Sequence, residues 1–399
     1  ALMHRILVDE KKWLPEGRFL HALNFCMLLP GPEAMQLATY AGWLMHGLRG
    51  GLVAGLMFVL PGACVVLALS MMYAAIGNVP VVEALFVGVK SAVLIIVLEA
   101  LLRISKKALN RPIDWAIAAA AFVAIFFLDT PYPIIILAAG LIGWWMLPAS
   151  DAPKQTAAKG APVKLTATIT TVAIWLAIWL LPLAALGLML GPDHVLTQCG
   201  IFFSKLAVVT FGGAYAVLAY MAQEVVQGYK WLNAGEMLDG LGLAETTPGP
   251  LILVNEFVGT LAAARAHGGM SIPMAIAGAL VTLWVTFAPC FLWIFAGAPY
   301  IERLGENARL KSALSGVTAA VVGVILNLSL WFALHVIFGE VSRTALGPIQ
   351  LWLPDVTTLD VRTLVLSIVA TFSLLVFHYG ILPTLAICAS LSGLWYALM

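Results

Sequence analysis

The chain has 399 residues, 62% of them apolar and 10% charged, and ordinary globular domains carry about 25% charged residues, so a water-soluble domain is excluded. Twenty-one Lys and Arg against 20 Asp and Glu leave a net charge of +1, a balance with no basic face for nucleic acid and no acidic tail. What remains is an all-α polytopic membrane protein.

A hydrocarbon core about 30 Å thick takes roughly 20 apolar residues per helix. In chain order the apolar stretches predict spans over 18–47, 52–77, 80–104, 112–129, 131–148, 167–192, 197–225, 236–264, 270–298, 312–338, 361–378 and 381–398, with residues 1–8 as the tail of one more. Residues 149–166, rich in Ala, Pro and Lys, read as a flexible connector. Alternating sides from Arg49 gathers Arg49, Arg103, Lys106, Lys107, Arg111, Lys154, Lys159 and Lys164, and later Arg303, Arg309 and Lys311, on one face, opposite Asn78 and Asp129. The positive-inside rule makes that face cytoplasmic. Lys11, Lys12 and Arg18 fall on the wrong side in this count, diluted by Asp9, Glu10 and Glu16.

Cys26, Cys64, Cys199, Cys290 and Cys388 stand apart in apolar runs and read as core residues. The seven histidines form no HxxxH or HExxH, no Ser/His/Asp grouping is visible at local spacing, and there is no Walker A loop. The sequence therefore predicts no metal, no cofactor, no ATPase and no catalytic residue; the chain is expected not to be an enzyme.

Sliding the chain on itself by 218 residues aligns 1–51 with 219–269 without a gap. The matches include Lys12-Trp13-Leu14 with Lys230-Trp231-Leu232, Pro30-Gly31-Pro32 with Pro248-Gly249-Pro250, and Gly50-Gly51 with Gly268-Gly269. At a spacing of 228 the match resumes, with Pro61/Pro289, Gly88/Gly316, Val89/Val317, Ala92/Ala320 and Val93/Val321. A duplication follows, with 1–148 as the first repeat, 149–192 as linker and inverting helix, and 193–399 as the second repeat. Seven predicted spans separate the equivalent loops at Gly50 and Gly268, an odd number, so the two repeats of about six helices have inverted topology, a construction shared by many secondary transporters. A re-entrant hairpin at 18–47 or 236–264 would alter the count. The chain begins with Ala, and the segment before Ala219, which includes Thr210-Phe211-Gly212-Gly213, has no counterpart after Ala1; the first repeat is expected to lack most of its opening helix.

Pro-Gly-Pro cannot continue a helix, because two residues lack N–H donors and Gly loosens the middle. Each repeat's helix must break there, and freed backbone groups at membrane depth need protein, water or a ligand. Pro32 and Pro250 are expected to open half-helices whose N–H groups face an anion; the competing reading is a pair of packing kinks. Two such termini offer roughly one positive charge, so a buried cation would complete the balance for a dianion. Lys90, ten residues into its span, and Lys205 are the candidates, Lys205 equally read as snorkelling. Phe211, Gly212 and Gly213 allow close approach of backbone or substrate, and Thr246 and Thr247 cap the second half-helix or reach an oxyanion. Glu33, Glu245 and Glu256 compete as proton-coupling carboxylates. Glu99 and Arg103 read as a local ion pair, and Asn327, at the repeat position of Glu99, as a helix-to-helix hydrogen bonder.

At these residues the sequence resembles the chromate ion transporter family, of the long-chain, two-domain type. The resemblance lies in Phe19-Leu20-His21-Ala22-Leu23-Asn24 leading to Leu28-Leu29-Pro30-Gly31-Pro32-Glu33-Ala34 and Gln36-Leu37-Ala38. It continues through Gly50-Gly51-Leu52-Val53-Ala54-Gly55, Phe58-Val59-Leu60-Pro61-Gly62, Thr210-Phe211-Gly212-Gly213-Ala214-Tyr215 and Glu245-Thr246-Thr247-Pro248-Gly249-Pro250. It covers nearly the whole chain, although a first-half Phe-Gly-Gly-Pro is absent. It implies export of chromate across the bacterial inner membrane, driven by the proton motive force, with chromate resistance as the result. Gln36 joins the substrate-binding set on this ground. Chromate and competing sulfate are the implied ligands, the lipid bilayer and a second copy in a homodimer the implied partners. Sulfate uptake, a passive anion channel and a structural scaffold are the alternatives; matched broken helices argue against the scaffold.

Overall fold

The computed structural model describes residues 2–77, 79–146, 165–211, 214–266, 268–300, 308–347 and 349–398. The connector through residue 164, Asn78, Arg303, Gly212 and Gly213 lie outside these. A short opening helix, Leu2–His4, runs into a π-turn, Arg5–Glu10. Helix α1 is Glu16–Leu28 and α2 is Glu33–Ile76. Inside α2 the helical conformation is lost at His46 and Gly47, where Gly47 has φ 60°. There the chain folds back, because Gly42 backs onto the carbonyl of Gly50 and Gly51 onto that of Thr39. Residues eight apart in a straight helix are separated by about 12 Å, so α2 is two antiparallel arms, 33–45 and 48–76. The sequence puts this turn at Gly50–Gly51; those glycines instead lie in the second arm, where the missing Cβ admits the opposing backbone and the Phe295 ring.

Helices α3 (Pro80–Ala108), α4 (Pro112–Phe126) and α5 (Tyr132–Met146) follow, the first two opened by a proline where a missing N–H costs nothing. Helix α6 (Leu165–Leu190) lays Trp175 on Phe291 at 5.5 Å and donates from Trp179 to Ser204 at 3.2 Å. Then come α7 (Val195–Val209), α8 (Ala214–Gln223) with a π-turn Glu224–Gly228, α9 (Ala234–Thr246), α10 (Val254–Arg265), α11 (Ile272–Gly297) and α12 (Ala308–Ile337). The chain is an all-α polytopic protein as expected, with one short strand pair added: β1 (Val341–Leu346) pairs antiparallel with β2 (Ile349–Pro354). It is pinned by Arg343, 2.9 Å from Asp129 and stacked over Trp352. Helices α13 (Val361–Thr371) and α14 (Ile381–Leu398) end the chain.

Among the described residues six helices are long and apolar enough to cross a membrane: Glu33–Ile76, Pro80–Ala108, Leu165–Leu190, Ile272–Tyr300, Ala308–Ile337 and Ile381–Leu398. The predicted spans 18–47, 197–225 and 236–264 turn back instead. Around the Pro248-Gly249-Pro250 break, Gly240 of α9 meets Phe257 of α10, and Arg265 donates to Glu236 at 2.6 Å. Around residues 210–213, the rings of Phe202 and Tyr220 are 6.0 Å apart. Contacts between residues about equally far from a break define an antiparallel hairpin. Arms of 12 or 13 residues, as in α10 and α9, reach about 20 Å and fall short of a bilayer. Helix α1 likewise packs on α2 across Pro30-Gly31-Pro32.

The repeat spacing recurs in the backbone. Lys12 and Lys230 have φ 51° and 56°, and Gly31 and Gly249 have φ 123° and 133°. The π-turns Arg5–Glu10 and Glu224–Gly228 coincide at the same 218-residue spacing. The second arm of α2 meets α11 through Gly51 against Phe295 and Gly55 against Phe291, so these two helices, equivalent in the sequence repeat, cross antiparallel. Helix α3 packs against α13 and α14, while α12 packs against α4 and α5, so each half completes the other. Of the cysteines, Cys64 is exposed and the other four are buried.

Candidate functional site

The hairpin tips converge on the α2–α11 crossing. Pro32 and Pro250 are extended residues at the start of the returning arms, with φ −73° and −74°. The N–H of Gly31 donates to the carbonyl of Thr210 at 2.9 Å, joining the first Pro-Gly-Pro tip to the tip between α7 and α8. Gln36 is fully buried and donates to the Pro30 carbonyl at 2.7 Å. A Cβ on Gly31 would stand 2.8 Å from both Cys290 Sγ and Gln36 Nε2. Across the crossing, Gly62 backs onto the carbonyl of Pro248. Gly62 and Cys290 are 228 residues apart, so each tip rests on the equivalent place of its supporting helix.

Polar groups continue from the first tip into α10. Cys290 donates to the Thr286 carbonyl at 3.4 Å, and Asn255 Nδ2 to Thr286 Oγ1 at 3.3 Å. Next along α10, Glu256 is 1% exposed. Both its carboxylate oxygens, Asn255 Oδ1, Thr282 Oγ1 and Gln36 Oε1 are buried without a hydrogen-bond partner among the described residues. A carboxylate held so costs several kcal/mol unless a proton or cation joins it.

Beside the first tip lies a cavity of about 550 Å³. Its walls carry Asn24 and Leu28 of α1, Glu33 at the start of α2, Lys107 of α3, and Lys311, Ser315, Val317 and Thr318 of α12. Two ammonium groups, an amide and two hydroxyls in one concavity suit an anion, and they outnumber the single carboxylate there, Glu33. Arg111, bonded to Ser315 at 2.9 Å and to Asp114, stands behind that wall.

Lys90 is not at the tips. Its Nζ lies 3.3 Å from Asp239 Oδ2, and Asp239 also accepts from the Tyr73 hydroxyl at 2.7 Å. Asp239 is nine residues before Pro248, about 13 Å along α9. Asp239 is absent from the residues predicted above, although an ionisable residue inside a predicted span is a site candidate by default, and its 218-spaced partner, His21, is ionisable too. Lys107 and Lys311 were read only for orientation.

The remaining predicted residues divide. Lys205 is exposed on α7, with Glu224 as its electrostatic neighbour, and does not reach the tips. Phe211 is half-buried against the core; Gly212 and Gly213 lie outside the described residues. Thr246 and Thr247 donate back to the carbonyls of Leu243 and Ala244, so they close the end of α9 and cap no new helix. Glu245 accepts from Tyr215 at 2.5 Å, tying the two second-half hairpins together. Glu99 pairs with Arg103 as the four-residue spacing predicts. Asn327 instead lines a small polar pocket with Asp129, Gln223 and Arg343. Among the described residues no group of three or more His, Cys, Asp or Glu is placed to hold a metal ion.

The profile of the family described as "Chromate transporter" matches residues 1–144 and 197–394. The chain is 32% identical over 326 residues to the "Chromate transport protein" of Cupriavidus metallidurans, covering 81% of this chain and 74% of that one. It is 34% identical over 330 residues to the "Chromate transport protein" of Pseudomonas aeruginosa, covering 81% and 73%. A "Probable chromate transport protein" of Synechococcus elongatus is 29% identical over 324 residues, covering 81% and 76%. No solved structure matches the chain.

Proposed function

Because the chain belongs to the chromate transporter family, we propose that it takes chromate from the cytoplasm and exports it across the bacterial inner membrane, driven by the proton motive force, so conferring chromate resistance. The observation that carries this reading is the cavity lined by Lys107 and Lys311, whose wall includes Leu28 and Glu33 on either side of the first Pro-Gly-Pro tip. The oxyanion enters past Lys107 and Lys311 and is held between the tips by half-helix N–H groups, with Gln36 shaping the first tip. Lys90 is the cation further along the path, and Glu256 carries the coupling proton.

The two halves act as inverted repeats. The antiparallel crossing of equivalent helices supports this, and the parity survives the hairpins: removing two turned-back stretches from seven spans leaves five, still odd. The turned-back α1 and first arm of α2 also bring Lys11, Lys12 and Arg18 to the side of Arg49, which favours that side as cytoplasmic.

The test is chromate accumulation in inside-out vesicles with and without a proton gradient, with sulfate as competitor. Saturable, gradient-dependent accumulation is expected. Absence of uptake by folded protein would defeat the exporter; current without saturation would replace it with a channel.

A further inference from the structure

The two halves differ where their sequences correspond. Asn24 of α1 and Val317 of α12 both line the 550 Å³ cavity. Their repeat partners, Gly242 of α9 and Val89 of α3, are in contact: a Cβ on Gly242 would collide with Val89 and lie 3.2 Å from Val93 Cγ2. Thr318 lines the cavity, whereas its partner Lys90 is drawn onto Asp239. Beside the first hairpin these positions border open space; beside the second they are shut together, and there the charged Lys90 takes the place of Thr318.

The shut side is built to be undone. Lys90 keeps 22% of its side chain exposed while Asp239 keeps 3%. Part of the Lys90 side chain therefore stays accessible, and the carboxylate it pairs with does not. Gly235 leaves room for Nζ, which lies 3.0 Å from where a Cβ would be. Asp239 Oδ1 has no partner among the described residues, so the carboxylate is held through Oδ2 alone, by Lys90 and Tyr73. The neighbouring charges, Glu236 and Arg265, pair with each other at the hairpin mouth, so Lys90 and Asp239 have only one another as counter-ions, and an anion can gain Lys90 only by displacing Asp239.

We propose that Lys90, Asp239 and Tyr73 form a charge gate across the closed side of the path, at which a departing tetrahedral oxyanion replaces Asp239 as the counter-ion of Lys90. The inference rests on the transport reading above and adds the element that must open. While the gate is shut, Asp239 stands in for substrate and Lys90 is never left unpaired in a low-dielectric setting. When the oxyanion arrives, the exchange frees α9 from α3, and Val89 and Gly242 separate.

The built Cβ of Gly242 lies 3.8 Å from Val89 Cβ, the usual separation in a disulfide. Val89→Cys with Gly242→Cys, in a chain carrying Cys64→Ser, should cross-link under copper phenanthroline. Oxidation is expected to cut chromate flux at least tenfold and reductant to restore it. Flux in the fully cross-linked protein equal to that of the reduced protein, or failure to cross-link at all, would overturn the gate. Asp239→Asn gives a second reading should the cysteine pair fold poorly. With its competitor removed, Lys90 should hold chromate longer, so KM and Vmax both fall several-fold; an unchanged KM with Vmax following protein amount would reduce the pair to a structural one. Unmodified protein is measured alongside: loss of its flux defeats the exporter, whereas loss of the effect in an active protein defeats only the gate.

Discussion

Gly88 of α3 and Gly316 of α12 play the same part in opposite halves: a Cβ on Gly88 would strike the carbonyl of Cys388, and one on Gly316 that of Ala139. Helices approach this closely in a membrane only where small residues let the backbones touch. Gly88→Ala and Gly316→Ala should each push a partner helix away, at a cost of about 1–3 kcal/mol, read as a lower midpoint of thermal unfolding in detergent. Gly17→Ala, with nothing within 4 Å of its Cβ, serves as the control and should leave the midpoint unchanged or raised. Equal losses at all three would remove the contact from the explanation.

At the tips the backbone sets the demand. Gly31 and Gly249 adopt φ 123° and 133°, a conformation that side chains rarely enter and that costs of order 1–3 kcal/mol. Gly31→Ala adds a collision with Cys290 and Gln36, while Gly249→Ala meets Leu253 Cδ1 at 2.9 Å, the yielding end of a side chain. Chromate flux should fall at least tenfold for Gly31→Ala and less for Gly249→Ala, at matched protein levels. The reverse order would show that the second tip is the more tightly built.

Much of this arrangement was readable in the chain. Pro-Gly-Pro announces its break through missing N–H groups, and the paired motifs announce it twice. Glu99 with Arg103 follows from helix spacing alone. What could not be read is direction after a break: Thr246-Thr247-Pro248 says the helix stops, but only Gly240 against Phe257 says that the chain returns. Lys90 illustrates a second limit. Its depth follows from counting residues, whereas its partner Asp239 lies on the α9–α10 hairpin, 149 positions away, and no local pattern links them. The strand pair at 341–354 escaped because Val341–Leu346 is too polar to stand out beside apolar helices.

Lys90→Ala should abolish transport, and the structure adds a cost in folding. Removing one member of a buried pair strands the other, at about 3–5 kcal/mol, so Asp239 would be left with Tyr73 alone. Membrane levels of Lys90→Ala are expected to drop, and adding Asp239→Asn should restore them without restoring flux. Full flux in the double variant would remove Lys90 from the substrate path while leaving transport itself intact.

Glu256 separates coupling from passage. Glu256→Gln keeps the shape and removes the charge, and with both oxygens partnerless among the described residues the substitution should leave folding intact. Accumulation driven by a proton gradient is expected to disappear, while exchange of internal for external chromate continues. Unaltered gradient-driven accumulation would move coupling to Glu33, which faces the cavity.

Lys107 and Lys311 line the cavity, and Asp239 does not, so the proposed contribution of the two lysines is attraction at the entrance more than grip. Charges lining a cleft raise the local concentration of an oppositely charged ligand, and salt screens that effect as the Debye length falls from about 10 Å at 0.1 M to 3 Å at 1 M. Lys107→Gln with Lys311→Gln should raise the KM for chromate several-fold at low ionic strength. The gap to the parent should close in 1 M salt, with Vmax little changed. Uptake by inside-out vesicles across a salt series reads this directly, because the proposed cytoplasmic face is then outermost. A KM that rises equally at every salt concentration would mean that the lysines grip the substrate at short range, and a KM that does not move would place the entrance elsewhere.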